Sequence, residues 1–409
     1  MNRRRGVFSM PEEFQTNERL FTKKELATRN TAPTCPGVPI KFSKMVMRKR
    51  MLYSEPKAVF FNRQVKLSDM YNDKKNVTYM NQCFLKMQII GEGSFGVVYK
   101  VRCRETNEFY AVKRAKPHIN VQDCLAEIEN NEKVGHHPNI VKYYMAWQEW
   151  SQFHLQLEYC EMSLAMYAKK DSDMSEEMCW NILYDICQAL AFLHDKDLLH
   201  LDVKPGNILL KQGHFKLADF GLLVDLKKIP EPFRNNAKLT GEAKKEVRNC
   251  LSTLSDGDSK YLAAEVLDTV YTTGCDIFGL GITILECSAD LDLPEHGPLW
   301  HQIRHGILPK EFHKRASLGL QVLIEKMLYF NCTMRPAAQK ILSYQYMREL
   351  AKRDKKHGRT DFARPFINDN EVHNFIDYYD ECFLDNNNTK SVQPHSVLGK
   401  KSLQFLNDD

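Results

Sequence analysis

The chain contains 409 residues, of which 43% are hydrophobic and 11% aromatic, and this composition is typical of a soluble globular protein. Its 57 basic and 52 acidic side chains leave a formal net charge of +5, which gives no reason to expect a nucleic-acid-binding protein. The 12 cysteines show neither C-x-x-C spacing nor the spacing of a zinc site, so we expect free thiols in a reducing, cytoplasmic compartment.

The first 80 residues are polar and basic and show no sustained hydrophobic period. Their basic start is not followed by an apolar core, so it does not read as a secretory signal. We predict that residues 1–80 are mostly disordered and that order begins near Cys83. The most apolar run of the whole chain, residues 275–287, contains glycines and two acidic residues. It predicts a buried helix of the core and not a transmembrane segment.

Apolar spacing predicts strands in the first part of the chain and helices in the second. A hairpin is expected over residues 84–103, strands over 109–115 and 154–160, and helices over 123–135 and 175–194. From Tyr261 to about Met347 the pattern is helical again. Strands followed by helices indicate an α+β unit of two lobes with a cleft between them.

Two further segments interrupt or follow this pattern. Residues 227–256 are basic and polar, and they predict an inserted flexible loop. Residues 352–409 are charged and rich in Asn and Asp, and they predict a mostly disordered C-terminal tail.

Three glycines, Gly91, Gly93 and Gly96, form the string G-E-G-S-F-G-V-V. This spacing alone is weak evidence, because it also marks dinucleotide-binding folds and ordinary turns. Here the glycines lie between two predicted strands and not between a strand and a helix, which disfavours the dinucleotide interpretation. The string therefore predicts a loop whose backbone amides can lie over a triphosphate, with Val98 packing against adenine.

Lys113 lies at the end of a predicted strand in the string Y-A-V-K. The apolar residues before it indicate that its aliphatic stem is buried and that its ammonium faces a cleft. A buried ammonium needs a counter-charge. Glu127, on the next predicted helix, is the expected partner.

The string H-L-D-V-K-P-G-N brings three chemical groups onto one loop. Asp202 can accept the proton of an attacking hydroxyl, Lys204 can neutralise a γ-phosphate, and Asn207 can hold a magnesium ion. Asp219, in the string D-F-G, adds a carboxylate of the kind that Mg²⁺ prefers. Phosphoryl transfer needs positioning and charge neutralisation, and this set of residues supplies both.

Together and in this order, the motifs resemble the signature set of the protein kinase superfamily over residues 84–347. The resemblance implies the two-lobed protein-kinase fold, with a strand-rich N-lobe and a helical C-lobe, and it implies ATP and Mg²⁺ as cofactors. It makes Leu157 the gatekeeper and Glu158 to Cys160 the hinge that holds adenine. The implied phosphate loop consists of Gly91, Glu92, Gly93, Ser94, Phe95 and Gly96.

The resemblance also implies two structural contacts of the second lobe. Ala263-Ala264-Glu265 is similar to the family's Ala-Pro-Glu, so Glu265 is expected to pair with Arg335. Asp276 is expected to brace the loop that carries Asp202.

Within the superfamily, several strings resemble the Wee family of cell-cycle kinases. They are HLDVKPGNI, DFGLLVDL, LAEIENNEKVGHHPNIVKYYMAW and LPEHGPLWHQIRHGILPKEF. The last string and the HLD variant are most similar to the membrane-associated branch, which is specific for tyrosine and threonine. This resemblance implies phosphorylation of a threonine–tyrosine pair in the glycine-rich loop of the mitotic cyclin-dependent kinase, which delays mitosis. It also suggests peripheral attachment to the cytoplasmic face of Golgi or endoplasmic reticulum membranes.

Leu201 stands where most kinases carry the arginine that grips a phosphorylated activation loop. Without that guanidinium, we expect activity that does not require phosphorylation of this loop. In the tail, Lys401 to Phe405 resemble the basic-x-Leu-x-Phe peptides that dock on cyclins.

Two alternatives remain at this stage. The first is a serine/threonine kinase of the translation-initiation-factor type, which shares an N-I-V-x-Y-x-x-A-W-like string but usually keeps the arginine that Leu201 replaces. The second is a catalytically inactive scaffold, against which the presence of Lys113, Asp202, Asn207 and Asp219 argues.

Overall fold

A computed structural model describes residues 55–357 of the chain, apart from 63, 76, 171–173 and 230–258. Most of the segments for which the sequence predicts disorder lie outside these described residues. The same holds for the suggested cyclin-docking peptide, Lys401 to Phe405.

A six-stranded antiparallel sheet forms the N-terminal lobe, in the order β1-β5-β6-β4-β3-β2. Its outer face is packed with aromatic and aliphatic side chains, among them Tyr99, Val112 and the fully buried Trp147. The strands are β1 Lys57–Val59, β2 Phe84–Glu92, β3 Gly96–Cys103, β4 Phe109–Ala115, β5 Tyr143–Glu149 and β6 Gln152–Glu158.

Order begins earlier than the sequence predicts, because β1 and the short helix α1, Tyr79–Cys83, precede residue 84. The strand β1 is only three residues long and is joined to β5 through backbone pairing, so it leaves no hydrophobic period in the sequence. The helix α1 is anchored by Tyr79, whose ring centroid lies 5.1 Å from that of Trp147. The prediction that order starts near Cys83 is therefore wrong for the described part of the N-terminal region.

The helix α2, Val121–Val134, packs against the sheet through Cys124 and the fully buried Ile128. It begins at Asn120, whose side chain accepts a hydrogen bond from the backbone of Gln122, as expected for an N-cap. It ends at Gly135, whose φ of +79° is readily adopted only by glycine. This confirms the helix predicted over residues 123–135.

The second lobe is helical. Its longest helices are α4, which begins after the N-cap Ser175, and α6, which lies in the middle of the lobe and is buried along almost its whole length. Among the described residues, no helix is long and apolar enough to cross a membrane. The helices are α3 Leu164–Lys170, α4 Glu176–His194, α5 Ala264–Leu267, α6 Thr273–Ala289, α7 Pro298–Arg304, α8 Lys310–Arg315, α9 Leu318–Met327, α10 Ala338–Leu342 and α11 Gln345–His357, with single 3-10 turns at Leu226–Lys228 and Cys332–Met334.

The last helix of the described residues, α11, continues six residues beyond position 351 and so enters the tail predicted to be disordered. Its first turns are held by the buried side chains of Met347 and Leu350. Arg353 adds an ion pair of 2.8 Å to Glu177. The residues that hold α11 are few and lie among charged residues, so the sequence does not predict that the helix extends beyond position 351.

Two small sheets lie beneath the first lobe and carry the polar motifs. One consists of β7 Met162–Ser163, β9 Ile208–Lys211 and β10 His214–Leu217, and the other of β8 Leu198–Leu199 and β11 Val224–Asp225. The H-L-D-V-K-P-G-N loop connects β8 to β9, and D-F-G connects β10 to β11. Both loops therefore leave the same small sheets and are brought together.

Candidate active site

Lys113 lies at the centre of a charged triad. The strand β4 carries Lys113 and the helix α2 carries Glu127, and the Nζ and Oε1 atoms are 2.6 Å apart. The same Nζ lies 3.4 Å from Oδ2 of Asp219. Both members of the first pair are largely buried, with side chains 13% and 15% exposed. The predicted counter-charge of Lys113 is thus confirmed, and Asp219 joins it.

The charge state of this triad follows from burial and proximity. Burial alone would lower the pKa of Lys113, but the carboxylates of Asp219 and Glu127 outweigh it and raise that pKa. Burial would raise the pKa of Asp219, but Lys113 and the backbone amide of Gly221 hold it below its usual value. Burial raises the pKa of Glu127, an effect that Lys113 partly offsets. At neutral pH the triad therefore presents an ammonium and an ionised Asp219.

The carboxylate of Asp202 is held by two side chains of its own loop. Its Oδ2 accepts a hydrogen bond of 2.7 Å from Nδ2 of Asn207, and its Oδ1 lies 2.9 Å from Nζ of Lys204. Because the amide nitrogen of Asn207 binds Asp202, its carbonyl oxygen Oδ1 is the atom that can bind a cation.

The imidazole of His200 fixes the backbone of the loop that carries Asp202. Its Nδ1 accepts a hydrogen bond of 3.2 Å from the backbone amide of Asp202. The other ring nitrogen, Nε2, therefore carries the proton and donates to the backbone carbonyl of Ala218, 3.1 Å away. The ring thus links the residue before Asp219 to the backbone of Asp202.

Asp276 braces the same loop from α6, as the resemblance implies. Its Oδ1 accepts a hydrogen bond of 2.7 Å from the amide of Leu201, and its Oδ2 accepts bonds from the amide of His200 and from Nε2 of His194. Burial would raise the pKa of Asp276, but the contacts with His194 and His200 lower it. A fully buried carboxylate therefore stays ionised under the loop.

The orientation of Asp219 depends on the residue after it. Phe220 is 1% exposed and packs edge-on against His200, with ring centroids 5.3 Å apart. Its backbone carbonyl accepts a hydrogen bond of 2.9 Å from Nδ2 of Asn130 on α2. Asp219 itself has a φ of +68°, a value that is uncommon for a residue with a side chain. With Phe220 buried, the Asp219 carboxylate faces Lys113.

A cavity of about 110 Å³ opens at this point between the lobes. Charged groups from both lobes converge on it, together with Phe95 of the glycine loop. The predicted site residues that line it are Phe95, Lys113, Glu127, Asp202, Lys204 and Asp219.

The sequence did not single out other residues that line this cavity, among them Asp123, Cys124 and Leu155. The first two lie one helical turn before Glu127, so the helical period could have found them. Leu155 is the direct partner of Lys113 in the sheet, a relationship that only the strand register reveals.

The glycine loop is a tight turn between β2 and β3. The backbone amide of Gly93 donates to the carbonyl of Gly96, 3.0 Å away. A Cβ atom at Gly96 would lie 2.7 Å from the backbone oxygen of Arg114, so only glycine fits there. Glu92 pairs with Lys116 at 3.2 Å, and Ser94 is exposed at the tip of the turn.

Two of the predicted adenine-binding residues, Val98 and Leu157, lie on β3 and β6, the strands that flank β4. In the sheet, Val98 is the partner of both Gly91 and Lys113, and Leu157 is the partner of Ala111. They are not among the residues that line the 110 Å³ cavity.

In the predicted hinge segment from Glu158 to Cys160, the side chains of Glu158 and Cys160 are engaged or buried within the protein. The Glu158 carboxylate binds Lys211 at 2.7 Å and Lys216 at 2.9 Å, and these contacts hold its pKa low although burial opposes this. Burial raises the pKa of Cys160 to about 12, so its thiol is protonated.

Glu265 and Arg335 form the ion pair that the resemblance implies. Their Oε2 and Nη2 atoms are 3.0 Å apart, and Nη1 of Arg335 binds Oε1 as well. The guanidinium also donates to the backbone carbonyls of Tyr329 and Gly274. This bidentate pair fixes the residues that follow 230–258 to the base of the lobe.

Asp219, which lines the cavity, and Asn207, which binds the cavity residue Asp202, form a donor set that fits a magnesium ion. Asp219 and Asn207 offer a carboxylate and a carboxamide oxygen, and Mg²⁺ bound to a nucleotide commonly takes one or two such ligands from the protein. The backbone of Asn207 is joined to the residue before Asp219: its backbone carbonyl accepts a hydrogen bond of 2.9 Å from the backbone amide of Ala218. Within the described part of the chain there is no cluster of three or more His, Cys, Asp or Glu side chains that could hold a metal ion by themselves.

The sequence from 84 to 347 matches the family described as "Protein kinase domain". The chain is also similar to membrane-associated tyrosine- and threonine-specific cdc2-inhibitory kinases. The relative from Drosophila melanogaster is 36% identical over 68% of this chain and 50% of its own length. Kinase wee-1.3 from Caenorhabditis elegans is 37% identical over 69% of this chain and 39% of its own length.

A Wee1-like protein kinase from Oryza sativa subsp. japonica is 31% identical over 72% of this chain and 53% of its own length. The chain thus spans about half or less of the length of these relatives.

Proposed function

The chain belongs to the protein kinase family and, within it, to the Wee-type kinases, and from this premise we propose that it transfers the γ-phosphoryl group of ATP to threonine and tyrosine of the mitotic cyclin-dependent kinase. The observation that carries this proposal is the convergence of Lys113, Asp202 and Asp219 on one cavity between the lobes.

In the proposed mechanism, Asp202 accepts the proton of the attacking hydroxyl. Its carboxylate is already aimed by Asn207 and Lys204, at 2.7 and 2.9 Å, so little reorganisation is needed when the hydroxyl arrives. Lys204 stabilises the negative charge of the transferred group. Lys113, kept in place by Glu127, positions the nucleotide phosphates, and the amides of the glycine loop cover them.

Asp219 and Asn207 would hold Mg²⁺, with Asp219 contributing Oδ2 or Oδ1 and Asn207 contributing Oδ1. A magnesium ion held there would supply positive charge that neutralises the phosphates during transfer. The backbone of Glu158 to Cys160, with Val98 and Leu157, would hold adenine, and Leu157 would be the gatekeeper.

The proposed substrate follows from the relatives, whose names describe cdc2-inhibitory kinases specific for tyrosine and threonine. Phosphates added to a threonine–tyrosine pair beside the substrate's own ATP site would inhibit it and delay entry into mitosis. Because the relatives are Wee-type, we do not favour the alternative of a translation-initiation-factor kinase.

We further propose a cytoplasmic enzyme that attaches peripherally to Golgi or endoplasmic reticulum membranes, since two relatives are named membrane-associated. We also propose that Lys401 to Phe405 dock on the cyclin of the substrate complex. Deletion of residues 400–409 should then weaken co-precipitation with cyclin, whereas unchanged co-precipitation would exclude this docking.

The test is incubation of a cyclin-dependent kinase–cyclin complex with the full chain, ATP and Mg²⁺, followed by mass spectrometry of the substrate. The expected products are phosphothreonine and phosphotyrosine at adjacent positions of its glycine-rich loop. The Asp202→Asn variant serves as the control and should leave the substrate unmodified. Modification elsewhere in the substrate, or none, would contradict the proposed function.

A further inference from the structure

The helix α2 carries Glu127 and packs against the sheet through its apolar face, so the Lys113–Glu127 pair depends on the position of this helix. If α2 rotates or moves outward, Glu127 leaves Lys113. Whatever fixes α2 therefore fixes the pair.

One acidic side chain near the end of α2, that of Glu132, binds the segment that follows β1. Oε2 of Glu132 accepts hydrogen bonds from the backbone amides of Asn62, at 2.7 Å, and Phe61, at 3.0 Å. Its Oε1 lies 3.3 Å from the same amide of Phe61. A carboxylate that receives two backbone amides in this way forms charge-assisted hydrogen bonds, which are stronger than neutral ones.

The bound segment is itself part of the sheet. Lys57, Ala58 and Val59 form β1, in register with Gln148, Trp147 and Ala146 of β5. Ala146 is fully buried in the same apolar cluster as Ile128 of α2. Residues 57–62 thus run from the edge of the sheet to the helix, paired with β5 through the backbone and bound to the Glu132 carboxylate through the amides of Phe61 and Asn62.

A second set of contacts ties α2 to the second lobe. Asn130 donates to the carbonyl of Phe220, and Lys133 pairs with Asp225 of β11 at 2.9 Å. The helix is therefore held by two segments of the second lobe as well as by residues 57–62. Leu201 lacks the guanidinium that would grip a phosphorylated activation loop, so these contacts are available to replace such a signal.

We propose that Glu132 is a positioning residue and that, with residues 57–62, it forms an intramolecular clamp that keeps α2 inward and Glu127 on Lys113. The clamp supplies within one chain the positioning of α2 that a phosphorylated loop or a bound partner would otherwise provide. This inference rests on the proposed kinase function, whose regulation it specifies.

The first test compares three variants of the full chain at saturating ATP and Mg²⁺. Glu132→Ala removes the acceptor and should lower kcat by about five- to tenfold, as expected for the loss of charge-assisted hydrogen bonds at a partly exposed site. Glu132→Gln keeps one oxygen acceptor and should recover kcat to within about threefold of the unmodified chain. Gln122→Ala, at an exposed position of the same helix, is the control and should leave kcat unchanged.

The second test removes the donor and leaves Glu132 in place. Asn62→Pro deletes the shorter of the two amide contacts with Oε2 and should lower kcat by part of the loss seen in Glu132→Ala, whereas Asn62→Ala keeps that amide and should have no effect. Because Glu132→Ala already removes both contacts, the Asn62→Pro and Glu132→Ala double variant should be little worse than Glu132→Ala alone.

Two readouts separate the clamp from a merely structural role and from failure of the proposed function. The KM for the protein substrate and the melting temperature should stay near those of the unmodified chain while kcat falls. Amide hydrogen exchange of α2 should rise in Glu132→Ala and Asn62→Pro, and this can be measured even if the chain phosphorylates no substrate. Unchanged kcat and exchange in these two variants, or additive effects in the double variant, would overturn the inference.

Discussion

The carboxylate of Asp276, in the core of the second lobe, accepts a hydrogen bond of 2.7 Å from the backbone amide of Leu201. Leu201 has a φ of +60°, which costs a residue with a side chain about 1–3 kcal/mol. The buried carboxylate offsets this cost and thereby fixes the backbone that immediately precedes Asp202. The strain of the loop is therefore linked to the position of the proposed proton acceptor.

Asp276→Asn should weaken the contact that fixes the backbone of Leu201 and, with it, the position of Asp202. One amide oxygen can replace one carboxylate oxygen, but the amide nitrogen would face a backbone N–H that then lacks an acceptor. We expect kcat to fall at least about tenfold and the free energy of unfolding to fall by about 2–4 kcal/mol. Urea unfolding and initial rates measure the two effects. Asp195→Asn, at an exposed position after α4, is the control, and a kcat of Asp276→Asn within twofold of the unmodified chain would contradict the coupling.

Leu201 predicts an activity that does not depend on activation-loop phosphorylation. Treatment of the purified chain with a phosphatase should leave kcat within about twofold of its starting value, because no arginine at position 201 can read a loop phosphate. Mass spectrometry before and after treatment verifies that phosphate was removed. A loss of most of the activity on complete dephosphorylation would show that another cation reads the phosphate.

Because the His154 ring is buried, we predict that the free energy of unfolding falls in weak acid. Its ring is 5% exposed and stacks on Trp147 at 4.9 Å, and burial, assisted by Arg114, lowers its pKa to about 4. The unfolded chain, with a usual histidine pKa of about 6.5, then binds a proton that the folded chain does not. The contribution of this group is fully present above about pH 6.5 and is lost as the pH falls towards 4, by roughly 3 kcal/mol.

The measurement is urea unfolding at several pH values between 7 and 4.5, compared with His154→Gln. The variant lacks the titrating ring, so its unfolding free energy should fall less steeply with pH than that of the unmodified chain. Parallel profiles would show that His154 is not buried in its neutral form.

Arg304 links α7 to residues 259–262, which immediately follow residues 230–258. Its guanidinium is 2% exposed, lies 3.5 Å from the Trp300 ring centroid, and donates to the backbone carbonyls of Ser259 and Leu262. Arg304→Lys keeps a charge but cannot reach several carbonyls with one ammonium. We expect the free energy of unfolding, measured in urea, to fall by about 1–3 kcal/mol, because carbonyls of this segment lose their donors. The exposed Arg348→Lys change is the control, and an unfolding free energy of Arg304→Lys equal to that of the unmodified chain would exclude this link.

The sequence was sufficient to predict charge pairs that burial requires and helices with a clear apolar and capping pattern. The need of Lys113 for a buried counter-charge identified Glu127, and the apolar and capping patterns predicted α2 and α4 to within two residues. Contacts through the backbone could not be predicted in this way. The strand β1 pairs through main-chain groups and has no hydrophobic period, so the partner of Glu132 was not apparent.

Side-chain direction was a second gap. The hinge position of Glu158 follows from the resemblance, but only the structure shows that its carboxylate binds Lys211 and Lys216. Likewise, Asn130 is one polar residue among several on α2, and its bond to the carbonyl of Phe220 depends on how the two lobes meet.

The central claim is that Lys113, Asp202, Asn207 and Asp219 form one phosphoryl-transfer site. The most direct test is the rate of transfer of labelled γ-phosphate from ATP to a cyclin-dependent kinase–cyclin complex, measured for the unmodified chain and for Asp202→Asn, with nucleotide binding measured in parallel. We predict that Asp202→Asn still binds ATP within about threefold of the unmodified affinity while its kcat falls by at least about a thousandfold. Transfer by Asp202→Asn at a rate close to that of the unmodified chain, or no transfer by either protein despite ATP binding, would contradict the account.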